Sequence, residues 1–148
     1  VTVYRVNEMD LRGCQGCNAC KNASIDCVLK DDLAPYWKAL HEADALIVSA
    51  PNYAANVCGP MITYMNRHYC LLDRDWRPRI HPGIRLIGIF TQGDADREKY
   101  KDVYRWYLAD FENRDMKLVD MLVHTRADGV VTDECALARR AYELGRAL

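Results

Sequence analysis

The sequence predicts an α/β fold, with a parallel sheet sandwiched between helices. Three observations carry this. Strand-like and helix-like patterns alternate four times along the chain, the order expected of strands joined by helical crossovers. Two of the strand-like runs, Ala45–Ala50 and Ile84–Phe90, are almost continuously apolar, as strands covered on both faces must be. The intervening segments instead carry apolar residues three and four apart, the spacing of a helix with one buried side. At 148 residues, half of them hydrophobic, residues 1–148 suit one compact domain with a sizeable core.

The elements follow in order. Val1–Val6 is rich in β-branched residues and predicts a first strand. The segment 7–30 reads as a loop. Asp31 and Asp32 suit a helix N-terminus, where acidic groups face the partial positive charge; Leu33, Trp37, Leu40 and Ala43 then predict a helix over Asp32–Ala43. The strand Ala45–Ala50 is expected to end at Pro51, with Asn52–Gly59 a loop. Pro60 can open the next helix, whose buried side is marked by Met61, Ile62, Met65 and Tyr69. Arg74–Gly83 is polar and proline-containing, hence a loop. After Ile84–Phe90, the run Thr91–Asp96 reads as a loop leading to a helix striped by Tyr100, Val103, Tyr104, Tyr107, Leu108 and Phe111. Met116–Val123 predicts a strand, and Leu137, Ala141, Leu144 and Leu148 a closing helix. The helical spacing of Tyr100, Tyr104, Tyr107 and Trp106 assigns them to core or interface rather than to a cofactor.

The formal net charge is −1, so no basic surplus points to nucleic acid, and no apolar stretch is long enough to span a bilayer. Seven cysteines is a high count for this length. Four fall between positions 14 and 27, while Cys58, Cys70 and Cys135 are scattered singly and expected to be buried. Clustered cysteines in a core-rich chain predict metal binding in a reducing cytoplasm, not a disulfide framework. The four histidines form no metal-ligand spacing.

The spacing Cys14-x2-Cys17-x2-Cys20-x6-Cys27 carries the strongest chemical signal. Four thiolates can ligate the irons of a cubane cluster, and close spacing lets one loop wrap it. Gly13 and Gly16 permit the tight backbone this needs. Zinc also takes four thiolates, usually from two C-x2-C pairs held well apart. Spacing alone therefore leaves three readings open: an iron–sulfur cluster, zinc, or ordinary loop thiols.

The run Cys14-Gln-Gly-Cys-Asn-Ala-Cys, followed by Cys27-Val-Leu-Lys-Asp-Asp, resembles the NADPH-dependent FMN reductase superfamily, and specifically its iron–sulfur flavoprotein branch. The resemblance continues in Ala43-Asp44 before the strand, Ser49-Ala-Pro-Asn-Tyr53, the helix ending in Asn66-Arg67, Thr91-Gln-Gly93 and Leu144-Gly145. It implies a flavodoxin-like three-layer sandwich, FMN, and a [4Fe–4S] cluster on Cys14, Cys17, Cys20 and Cys27. It also implies flavin contacts from two loops, Pro51, Asn52, Tyr53, Asn56 and Val57 in one and Thr91, Gln92 and Gly93 in the other. Without the resemblance, Pro51 and Tyr53 would simply end a strand and cap the core. One departure stands out. The family begins with a strand, a glycine- and serine-containing loop and a helix that hold the FMN phosphate. Nothing in this sequence matches them, and Val1–Val6 resembles the family's second strand. The domain is therefore expected to be incomplete at its N-terminus.

The reading implied is a redox protein that passes electrons between a flavin and a cluster, with NAD(P)H or ferredoxin as partner and a homo-oligomer as its assembly. Lys21 and Lys30 are candidates to meet an acidic carrier. A second reading, encouraged by the missing phosphate loop, is an interaction module that binds zinc or a cluster and no flavin.

Overall fold

The computed structural model describes residues 1–22 and 25–148; Ala23 and Ser24 of the cysteine loop lie outside the described residues. The strands are β1 (Ala45–Tyr53), β2 (Asn56–Val57), β3 (Arg85–Gln92) and β4 (Lys117–Thr125), in the sheet order β2-β1-β3-β4. β1, β3 and β4 are parallel, and β2 is a short antiparallel return beside the end of β1. The helices are α1 (Ala19–Asn22), α2 (Ala34–His41), α3 (Gly59–Arg67), α4 (Lys101–Glu112) and α5 (Ala136–Ala147). This is the mostly parallel, open α/β sheet of a flavodoxin-like fold.

Of the two apolar runs expected to be covered on both faces, Ile84–Phe90 is the inner strand of the parallel set, while Ala45–Ala50 is its edge among the described residues, with Ile47 and Ser49 exposed. On one face lie α2, α3 and α4, with Leu33, Leu40, Tyr104, Leu108 and Phe111 among the buried contacts. Gly88 lets α4 press flat on β3: a Cβ there would lie 2.9 Å from both methyl carbons of Leu108. On the other face α5 seals a smaller cluster of Ile87, Leu122 and Leu144. α5 stops short of β1, whose Ile47 stays half exposed at 51%.

Three expectations are corrected. Val1–Val6 is not a strand: it runs as irregular chain into a 3-10 turn at Val6–Glu8, with Val1 and Val3 exposed. A strand needs a ladder partner, and this segment instead lays Tyr4, Val6, Met9 and Leu11 against the core. Pro51 does not end β1, which continues through Asn52 to Tyr53. A proline is tolerated where one side of the strand has no partner, and β2 pairs only with Asn52 and Tyr53. The expected loop Asn52–Gly59 is consequently a hairpin, and Thr91 and Gln92 belong to β3.

The end of α3 is anchored in an aromatic box. His68, wholly buried, stacks on Tyr36 at 5.6 Å and meets Tyr64, Trp37 and Phe111 edge-on. The Tyr36 hydroxyl lies 2.9 Å from His68 Nε2 and 2.6 Å from the Tyr64 hydroxyl, while Nδ1 has no protein partner. Burial, with Arg114 adding to it, pushes the His68 imidazole well below its ordinary range, so the ring is neutral. Below about pH 6.5 the unfolded imidazole takes a proton that the folded one refuses. The unfolded state then binds more protons, and stability falls as pH falls. Exchanging His68→Gln is expected to flatten the decline in urea-unfolding free energy between about pH 6.5 and 5. Equal slopes for the two proteins would show that His68 is not held neutral.

Candidate functional site

The four motif cysteines border one cavity, together with Arg67, Tyr69 and Cys70. Cys14 and Cys17 are exposed at its mouth, Cys20 is buried and Cys27 half-buried. Among the described residues no three His, Cys, Asp or Glu side chains meet as a single-ion site. The loop reaches this shape through Gly16 and Asn18, whose φ values of 64° and 56° lie in the left-handed region. Glycine and asparagine are the residues that accept it most readily. Asn18 Oδ1 accepts from the Tyr69 hydroxyl at 3.1 Å, and the turn of α1 then swings Cys20 inward.

Three cations hold the loop to the core. Arg67, itself buried, donates to the Arg12 carbonyl at 2.9 Å and pairs with Asp31, with side-chain exposures of 0% and 4%. Arg67 and Cys27 border the same cavity. Asp31 accepts from the Arg12 and Leu33 amides, and Asp32 from the Asp10 amide. The paired aspartates after Cys27 are thus the clasp that closes the loop, not the cap of a helix; α2 begins only at Ala34. Burial alone would push the Asp31 carboxyl up. The hydrogen bonds from Arg67 and the Arg12 amide outweigh this and hold it below the usual carboxylate range.

Lys21 donates to the Tyr69 carbonyl at 2.6 Å and to that of Leu72, and lies 3.9 Å above the Tyr69 ring. Its ammonium is engaged by these contacts within the chain. Arg79 donates to the Cys70 carbonyl at 2.9 Å and to that of Ile25. Burial raises the Cys20 thiol, and the nearby Lys21 ammonium works against it.

Sequence reasoning missed Arg67 as a structural clasp, along with Arg79 and Cys70. Arg67 was visible only as the end of a helix stripe. Cys70 is buried as expected and its thiol is pushed up to about 12, by burial first. Cys58 and Cys135 are only half-buried, and the Cys135 sulfur caps α5 by accepting from the Ala138 amide at 3.3 Å. Tyr104 and Tyr107 are core, but Trp106 is 70% exposed.

The second group of predicted residues gathers at the carboxyl ends of β1 and β3. These strands are neighbours, and Pro51 is the register partner of Thr91. Tyr53, Asn56, Thr91 and Gly93 are exposed there, and Pro51 and Asn52 are half-buried. Val57 and Gln92 point inward. Gln92 is committed to the fold: Nε2 donates to the Asp96 carbonyl at 2.6 Å and Oε1 accepts from the Tyr104 hydroxyl at 2.9 Å. Asn52 Nδ2 is buried with no hydrogen-bond partner among the described residues, and its side chain lies near the Tyr104 hydroxyl. Between Tyr53 and Asn56, Ala54 and Ala55 both take left-handed φ values, 51° and 63°. Two successive positive φ values give a tight hairpin turn, usually built from asparagine and glycine.

The fold and these two groups define a flavodoxin-like α/β protein with a cysteine-lined cavity and a hairpin-edged surface at its strand ends. No protein-family model matches the chain. It is similar to curated proteins named iron–sulfur flavoprotein: one of Archaeoglobus fulgidus, 29% identical over 58% of this chain and 45% of the relative; one of Methanocaldococcus jannaschii, 29% identical over 65% and 48%; and one of Methanosarcina thermophila, 24% identical over 71% and 54%. The chain spans about half the length of the curated relatives it matches. The resemblance to the iron–sulfur flavoprotein family read from the cysteine motif is borne out by these relatives.

Removing one partner of a buried ion pair leaves an uncompensated charge and costs about 3–5 kcal/mol. Asp31→Ala is expected to lower the unfolding free energy by about that much, whereas Glu98→Ala, which breaks an exposed pair with Lys101, should barely change it. Equal effects of the two substitutions in urea titrations would remove Arg67 and Asp31 as the clasp.

Proposed function

We propose that this chain carries the electron-transfer centre of a flavin- and cluster-containing redox protein. In this reading Cys14, Cys17, Cys20 and Cys27 hold a [4Fe–4S] cluster, and the strand ends of β1 and β3 hold the isoalloxazine ring of FMN. The carrying observation is that all four motif cysteines border a single cavity. In a cubane each thiolate binds a different iron, so the ligands must surround a volume. Zinc ligands must meet at a point. Cysteines ringing a cavity therefore support a cluster over zinc. Lys21, Arg67 and Arg79 bring positive charge around the cavity and favour thiolates within it.

At the strand ends, Pro51 and Thr91 lie side by side on the edge where ligands of open α/β sheets bind. Tyr53 offers an exposed aromatic face, and the unpartnered Asn52 Nδ2 is a donor that a ring carbonyl or nitrogen would satisfy. Asn56 and Val57 shape the hairpin that borders the ring, and Gln92 braces the loop around Gly93. These residues fit the ring; no described group fits a phosphate. FMN exchanges one or two electrons and a cluster one, so the pair would couple NAD(P)H to a one-electron carrier such as ferredoxin.

The two groups sit at opposite ends of α3, whose nine residues span about 13 Å. That separation within one chain supports a homo-oligomer in which the cavity of one subunit approaches the strand ends of another. Free thiols in this number fit a reducing cytoplasm.

Anaerobic reconstitution tests the cluster. Uptake of about four irons per chain is expected, with loss when the four motif cysteines are changed to serine. Unaltered iron binding in that variant, or a colourless zinc-loaded wild type, sinks the assignment in favour of a zinc-binding interaction module. For the flavin, riboflavin is expected to bind this chain nearly as tightly as FMN. Hydrogen bonds to a charged phosphate contribute roughly 1.5–3 kcal/mol each, so two of them would favour FMN by about two to four orders of magnitude. Such a preference in parallel titrations would show that a phosphate site exists.

A further inference from the structure

The cavity has a fifth cysteine. Among the described residues Cys70 is the cysteine outside the motif that borders it. It is 2% exposed and sits in the rigid 3-10 turn His68–Leu71, between the aromatic box of His68 and the Lys21 contacts at Tyr69 and Leu72. Arg79 fixes its carbonyl from the other side. It shares the cavity lining with Cys20 and Cys27, the two enclosed motif cysteines, whereas Cys14 and Cys17 are exposed. The inner end of the cavity therefore has three sulfurs for two ligand positions.

We propose that Cys70 is a reserve ligand able to take the iron that Cys27 binds. The inference rests on the cluster reading above. Cys20 is tied by α1 and by the tandem spacing to Cys17, so its place is set by its neighbours. Cys27 is reached only across six further residues and is half-buried. Of the two inner ligands it is the less enclosed. The exchange breaks the iron–sulfur bond to Cys27 and forms one to Cys70. Cys70 gives up its thiol proton and the released Cys27 thiolate takes one, so neither charge nor electron count changes.

The test uses the full chain reconstituted anaerobically, as wild type, Cys70→Ala, Cys27→Ala and the double variant. Wild type, Cys70→Ala and Cys27→Ala are each expected to hold about four irons, and the double variant at most about three. The reduced Cys27→Ala protein should give the electron paramagnetic resonance signal of a four-iron cluster, shifted from wild type. Loss of iron in Cys27→Ala equal to that in the double variant overturns the inference and leaves the cluster reading standing. If the double variant is unfolded by circular dichroism, Cys27→Ala decides alone, because a three-iron signal in its oxidised state means that Cys70 did not step in. A wild type that takes up no iron removes the cluster reading itself, and this inference with it.

Discussion

The buried pair between Arg67 and Asp31 is the contact on which the cysteine loop depends. The segment from Asp10 to Lys30 has few large apolar side chains, and its cysteines alone could not fold it. Arg67 supplies what hydrophobic burial does not. Its planar fork reaches the Arg12 carbonyl before the first cysteine and the Asp31 carboxylate after the fourth. The guanidinium presents its N–H donors in one rigid plane, so a single side chain holds both partners in a fixed geometry. A buried ion pair is weak evidence for net stability, since desolvation offsets much of the attraction. What it supplies here is register: it fixes where the loop begins and ends relative to α3.

That register passes into the core through the residues that follow. Arg67 is the last residue of α3, His68 is locked in its aromatic box, and Tyr69 and Cys70 emerge directly at the cavity wall. The cavity is therefore built from two materials. Its inner wall is an extension of the core, with Cys70 and Arg67 almost wholly enclosed, while its mouth is loop backbone shaped by Gly16 and Asn18. A redox centre benefits from such a wall, because rigid, partly desolvated surroundings and fixed hydrogen bonds set the potential of a cluster.

The parts legible in the sequence are those that obey one local rule. Ile84–Phe90 could be read as an inner strand because burial on both faces leaves a continuous apolar signature, whereas Ala45–Ala50 carries the same signature but lies at the edge of the parallel set with Ile47 and Ser49 exposed. The amphipathic helices were equally clear, since each buries one stripe. Val1–Val6 has the composition of a strand, but composition does not provide a neighbour to pair with. Pro51 reads as a strand terminator, yet it sits in β1 because no strand pairs with its far side. The cysteine motif pointed to thiols gathered around one loop, but not to Arg67 or Cys70 beside them. Those two belong to a different element, some forty residues away along the chain, and only the packing of α3 against the loop brings them in.

The strand-end group is held together by a different kind of constraint. The hairpin there turns through Ala54 and Ala55, both with left-handed φ. For residues with a Cβ this conformation costs roughly 1–2 kcal/mol each. The turn persists because both of its arms are fixed: Pro51 is held in register with Thr91, and its carbonyl accepts from the Cys58 amide at 3.1 Å. Val57 is buried on the return strand. Local strain of this sort survives only where surrounding structure over-determines it. Here it closes β1 onto β2 in two residues, brings Tyr53 and Asn56 to the rim, and leaves Asn52 Nδ2 buried beside them without an acceptor among the described residues. The cavity at the far end of α3 relies on side-chain charge, whereas this surface relies on backbone held in a costly shape.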